Sequence, residues 1–115
     1  MRNLMGSLLL ALALGACAST PKTETFVGVY MAGLEVDTFY PQARPLNPYW
    51  VAESDARVAL RALAPANLTP GQGVRILATV EGELSRRGQY GPLGAYGRQL
   101  HISNVVSARL EDGGP

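Results

Sequence analysis

Val74-Arg75-Ile76-Leu77-Ala78-Thr79-Val80-Glu81-Gly82 is the stretch on which the fold turns. In an extended chain successive side chains point to opposite faces, so Val74, Ile76, Ala78 and Val80 fall together on one of them. That period of two predicts a half-buried strand, introduced by the turn-forming residues 67 to 73. Downstream, the run from Gln99 to Leu110 places Leu100, Ile102, Val106 and Ala108 on one face. Val105 breaks that alternation and hints at a bulge.

Working back from Val74, the sequence predicts a short helix and three more strands. Ser54 or Asp55 caps a helix through roughly Leu63, and Pro65 stops it. Its apolar stripe is Ala56, Ala59, Leu60 and Leu63, with Arg57 and Arg61 elsewhere on the wheel, one turn apart. Tyr49-Trp50-Val51 reads as a short apolar strand, packed in the core or at the rim of the sheet, after a loop broken by Pro41, Pro45 and Pro48. Phe26 to Met31 is β-branched and aromatic, and Ala32-Gly33 bends it into a second run from Leu34 to Tyr40. There Leu34, Val36 and Thr38 form the inward face, while Glu35 and Asp37 share a solvated one. The order is strand, strand, strand, helix, strand, strand, a mainly β domain with one short helix between the third and fourth strands.

The start of the chain has a different character. Met1-Arg2-Asn3 is followed by an apolar run from Leu4 to Leu14, then by Gly15-Ala16-Cys17. A short basic head, an apolar stretch and small residues at a cut site make an export signal. As a helix the run rises only about 16 Å, too short for a hydrocarbon core of roughly 30 Å. Leu14-Gly15-Ala16-Cys17 resembles the lipobox of bacterial lipoproteins, in which the cysteine receives a diacylglyceryl group and cleavage falls just before it. The resemblance implies a signal peptide over 1–16, a lipidated Cys17 and a Pro-containing tether over 17–25, ahead of a domain over 26–110 and a disordered tail over 111–115. Ala18 stands where the family's inner-membrane retention signal usually carries aspartate, which implies the periplasmic face of the outer membrane.

Composition bounds what such a domain can do. Cleavage before Cys17 removes 16 of 115 residues and leaves 99, enough for one core. Loss of Arg2 leaves nine basic side chains against nine acidic ones. A surface that tracks nucleic-acid phosphates needs more positive charge, so nucleic acid is set aside. Cys17 is the single cysteine, which excludes an internal disulfide or a cysteine-pair zinc site.

The strand order resembles the oligonucleotide/oligosaccharide-binding (OB) barrel over roughly Phe26 to Leu110, and closure of five strands would hide the sheet edges. Gly28-x-Tyr30-x-x-Gly33-x-Glu35 and Gly88-x-Tyr90-Gly91-x-x-Gly94 are also similar to small bacterial lipoproteins of this fold whose function is unassigned. A copper-response lipoprotein family shares the barrel type, but its cysteine pair is missing here. Only His101 and Met31 remain as soft or borderline ligands in the mature chain, so no metal or other cofactor is expected. A triad built on Ser103 and His101 has no geometric support in the sequence, and the domain is read as non-catalytic.

The loop 84–98 is the most unusual segment, with glycines at 88, 91, 94 and 97. A chain of tight turns explains them; the phosphate-loop pattern and a collagen repeat do not. The sharper reading uses position, because the resemblance implies that the loop joining the last two strands borders a ligand groove. Tyr90 and Tyr96 would then stack on a ring, and Arg86, Arg87 and Arg98 would meet phosphate or carboxylate. The expected function is a lipid-anchored binding or scaffolding module whose partner is an envelope protein or glycan. The alternative is a receptor for a small anionic or glycan ligand at this loop.

Overall fold

The computed structural model describes residues 22–69 and 71–111. The signal over 1–16, Cys17 and most of the tether therefore lie outside the described residues, as do the last four positions of the tail. Five strands and one helix form the domain: β1 Glu24–Gly33, β2 Val36–Pro41, β3 Tyr49–Val51, α1 Asp55–Arg61, β4 Gly73–Leu84 and β5 Gln99–Leu110. The helix lies between the third and fourth strands, as the sequence predicts.

The longest ladders run antiparallel, β1 with β4 from Glu24↔Gly82 to Gly33↔Gly73, and β4 with β5. β2 joins β1 on one side and β3 on the other, and β3 meets β5 in parallel through Trp50↔Gln99 and Val51↔Leu100. The ring thus closes into a barrel in the order β1-β2-β3-β5-β4, in which every strand has a neighbour on both sides, the closure running through the short β3. Closure bends β1 and β4 hard against their neighbours. A side chain at Gly28 would strike the Tyr40 carbonyl oxygen, and one at Gly82 would strike that of His101.

Tyr30, Ala32, Phe39, Val51, Ile76, Ala78, Val80, Leu100 and Ile102 fill the barrel, and Leu60 of α1 joins them. Fully burying such side chains contributes about 1.5–3 kcal/mol each for the larger aliphatics. The face predicted for Val74 to Val80 is the inner one, with Val74 only half-buried at its end.

Several expectations are corrected. The first strand starts at Glu24, inside the predicted tether, and the chain turns at Leu34-Glu35, where Glu35 adopts φ +57°. The second strand therefore begins at Val36, and Asp37 shares the inner face with Phe39, while Thr38, on the opposite face, is also buried, with its hydroxyl against that of Tyr96. In α1 Leu60 of the predicted stripe is buried and Ala56 packs against the core, but Ala59 is exposed; Leu63 lies beyond the end of the helix at Arg61 and is exposed, and Ala64 packs instead. On β5 two register shifts change the alternation, so Val105 packs against the core and Val106 is exposed. Glu111, expected in a disordered tail, is tied to Arg75 by its backbone N–H and, at 2.7 Å, by its carboxylate.

Candidate functional site

Strand direction sorts the connections between two ends. Because β2 and β4 run antiparallel to β1, the start of β1 lies beside the end of β2 and the end of β4. Residues 22–24, the β2–β3 loop and the β4–β5 loop share this loop end. The β1–β2 turn, α1 and the start of β4 share the opposite, helix end.

At the helix end a buried ionic cluster fastens α1 across the barrel. The Arg61 guanidinium donates to Asp37 Oδ1 at 2.8 Å, to the Val36 carbonyl at 3.1 Å and to the Gly33 carbonyl at 2.9 Å. Arg57 donates to the Val51 carbonyl at 2.9 Å and lies 3.5 Å from Asp37 Oδ2. The Tyr30 hydroxyl donates to Asp37 from within the core. Burial first, and then the hydrogen bond and negative charge of Asp37, push the Tyr30 pKa well above its ordinary value, so the phenol stays a donor. Burial works against the Arg61 charge, yet the hydrogen bond it donates to Asp37 and the negative charge there help to outweigh it and raise its pKa. Asp37 is thus no solvated strand residue. Every charge here meets a partner within the fold, so the cluster clamps the helix to the barrel.

The loop end presents its charges outward. The 84–98 segment is a folded hairpin: Gly88 N–H donates to the Gly97 carbonyl at 2.9 Å, and Tyr90 and Tyr96 exchange backbone hydrogen bonds at 2.9 and 3.0 Å. Its tip turns through Gly91 and Gly94, both at positive φ, around a short 3-10 turn at Pro92–Gly94. Tyr96 lies over β2 and β3, its ring 5.5 Å from that of Trp50 and its hydroxyl 3.0 Å from Thr38 Oγ1. The expected packing role of Trp50 and Tyr49 fits this arrangement, since Tyr49 meets Phe26 edge-on at 6.1 Å.

Between this hairpin and the β2–β3 loop lies a groove of about 310 Å³. Arg44, Asn47 and Tyr49 line one side, and Arg87, Tyr96 and Arg98 line the other. Arg98 donates to the Ser85 carbonyl at 3.1 Å, which aims its guanidinium. Among the described residues the ion pairs involve Arg57, Arg61 and Arg75, and none involves the three groove arginines. Converging guanidinium forks without a carboxylate suit a phosphate or carboxylate ligand, which they can grip bidentately.

Of the five residues predicted from the loop, the groove brings together Arg87, Tyr96 and Arg98. Arg86 and Tyr90 do not line it; the Tyr90 hydroxyl donates to the Arg86 carbonyl at 2.9 Å, and its ring lies against Gly88. Sequence reasoning missed Arg44 and Asn47. Their signal was a proline-broken loop over 42–48 with a cation and no acidic residue.

A larger, apolar hollow of about 770 Å³ lies on the barrel's outer face, lined by Val27, Val29 and Leu77 with Pro41, Pro45 and Arg109. Among the described residues no three of His, Cys, Asp or Glu gather as a metal site would require, and no helix is long and apolar enough to cross a membrane. No family model, no curated protein and no solved structure matches the chain.

Proposed function

We propose that the chain is an envelope lipoprotein, anchored through Cys17, whose OB-like barrel is a non-catalytic binding module for an anionic ligand. The strand order with its helix between β3 and β4 supports the OB reading. The observation that carries the binding reading is the convergence of Arg44, Arg87 and Arg98 on one groove without a carboxylate among the described residues. Lipobox-like Leu14-Gly15-Ala16-Cys17 supports the anchor, and Ala18 favours the periplasmic face of the outer membrane.

Two measurements test this. Cys17→Ala should abolish lipid-dependent processing and release the protein from the membrane fraction; unchanged size and fractionation would sink the anchor. Titration with inorganic phosphate and with a carboxylated glycan should show binding that Arg87→Ala and Arg98→Ala each weaken at least tenfold, about 1.4 kcal/mol. Equal binding by both variants and wild type would remove the receptor.

A second reading rests on the apolar hollow: a scaffold that seats a protein partner against Val27, Val29 and Leu77. Leu77→Glu would then lose the partner while phosphate binding stays intact.

A further inference from the structure

We infer that the loop end of the barrel is a membrane-docking surface, and that the arginine groove takes the phosphate of a lipid headgroup in the bilayer that holds the anchor. This rests on the reading of Cys17 as the lipidation site and goes beyond it by assigning an orientation and a ligand.

The first observation is where the tether joins the domain. Glu24, the first residue of β1, is seven positions along the chain from Cys17. Fully extended, that stretch spans at most about 25 Å. Since β1 starts at the loop end, the tether brings that end toward the bilayer, and the helix end approaches only if the barrel turns over.

The second is charge. The loop sequences 42–48 and 85–98 contain Arg44, Arg86, Arg87 and Arg98 and no aspartate or glutamate. Glu24 and Glu83 stand on the strands beneath them. Clusters of basic side chains held next to a bilayer are drawn to anionic lipids.

The third is apolar exposure on the same loops. Leu46, which lines the groove beside Arg44, is 91% exposed, and Leu93 at the hairpin turn is fully exposed. A leucine projecting among arginines is costly in water and suited to the boundary between headgroups and acyl chains. A soluble phosphate ligand would account for the arginines but would leave Leu46 without a role.

The test uses the mature lipidated protein reconstituted in vesicles. Leu46→Cys is labelled with an environment-sensitive fluorophore, the Cys17 thiol being already blocked by lipid, and Glu53→Cys at the helix end is labelled as the control. On phosphatidylethanolamine/phosphatidylglycerol vesicles the label at 46 should shift to the blue and brighten, more than on phosphatidylcholine, while the label at 53 stays in water. Arg44→Glu with Arg87→Glu should abolish the shift although the protein still floats with the vesicles. A protein that floats with its 46 label in water on both vesicle types overturns the docking surface alone. A 46 label that answers only to inorganic phosphate overturns it in favour of a soluble ligand. A protein that carries no lipid and does not float overturns the anchor, and the docking inference with it.

Discussion

At the helix end of the barrel Arg57 and Arg61 reach Asp37 at 3.5 and 2.8 Å and take up the carbonyls of Val51, Val36 and Gly33. At the loop end Arg44, Arg87 and Arg98 converge on a groove and meet no carboxylate among the described residues. The same side chain therefore serves as a fastener in one place and as an exposed cation in the other. The difference lies in what the backbone offers. Three strand ends present their carbonyls, and β2 one buried carboxylate, to α1, whereas the loops offer mostly solvent.

Asp37→Ala should produce the largest effect on this contrast. It leaves two guanidinium groups and the Tyr30 hydroxyl without their shared partner. Breaking a buried ion pair costs about 3–5 kcal/mol. The Arg61 side chain is 34% exposed, which places the expected loss toward the lower part of that range. Denaturant unfolding measures it, and a loss below about 1 kcal/mol would show that the clamp does not hold the helix.

Tyr30→Phe is the next step down. It removes one hydrogen bond to a charged acceptor, a change of about 1.5–3 kcal/mol. The pH dependence gives a separate readout. In the folded protein the Tyr30 proton is held more tightly than in the unfolded chain, where the phenol titrates at about 10. Its contribution is complete below that value and is lost as pH rises above it, because the unfolded chain then sheds a proton that the folded one keeps. Melting temperature should therefore fall more steeply between neutral and strongly alkaline pH in wild type than in Tyr30→Phe. Parallel curves would remove Tyr30 from the clamp.

These two residues also show why one end was harder to read than the other. Tyr49–Val51 and Gln99–Leu110 match the predicted strands end to end, since prolines, glycines and alternation mark them locally. Alternation of Leu34, Val36 and Thr38 places Asp37 on the solvated face. The deciding partner is distant, since Arg61 lies 24 residues away, and the turn at Leu34-Glu35 takes Leu34 out of the strand on which the alternation rested. Two local clues pointed the other way, namely Phe39 on the same face as Asp37 and arginines at i, i+4 on a seven-residue helix. At the loop end the glycine-rich hairpin was legible as a chain of turns, and three of its five predicted residues reach the groove. Arg44 was not, because its partners come from a loop more than forty positions along the chain.

Tyr96→Phe should cost less, about 0.5–1.5 kcal/mol, since it deletes only the hydroxyl bond to Thr38 and leaves the ring against Trp50. Trp50 fluorescence reports whether the hairpin stays in place. A large red shift in this variant would mean that the hydroxyl, rather than ring packing, holds the loop on β2 and β3.

Arg87→Ala should have the smallest effect on stability, within about 0.5 kcal/mol, because the side chain is exposed and has no ionic partner among the described residues. Its sign is the informative part. Arg44 and Arg98 line the same groove, so deleting Arg87 relieves like-charge repulsion, and at low salt the variant should be as stable as wild type or slightly more so. Added salt screens that repulsion, so the difference should shrink as ionic strength rises. Arg61→Ala at the other end must destabilise at every salt concentration, because it strips a partner from buried Asp37. If Arg87→Ala also destabilised by more than about 1 kcal/mol, the groove arginines would be structural like those of the clamp, and the contrast between the two ends would be lost.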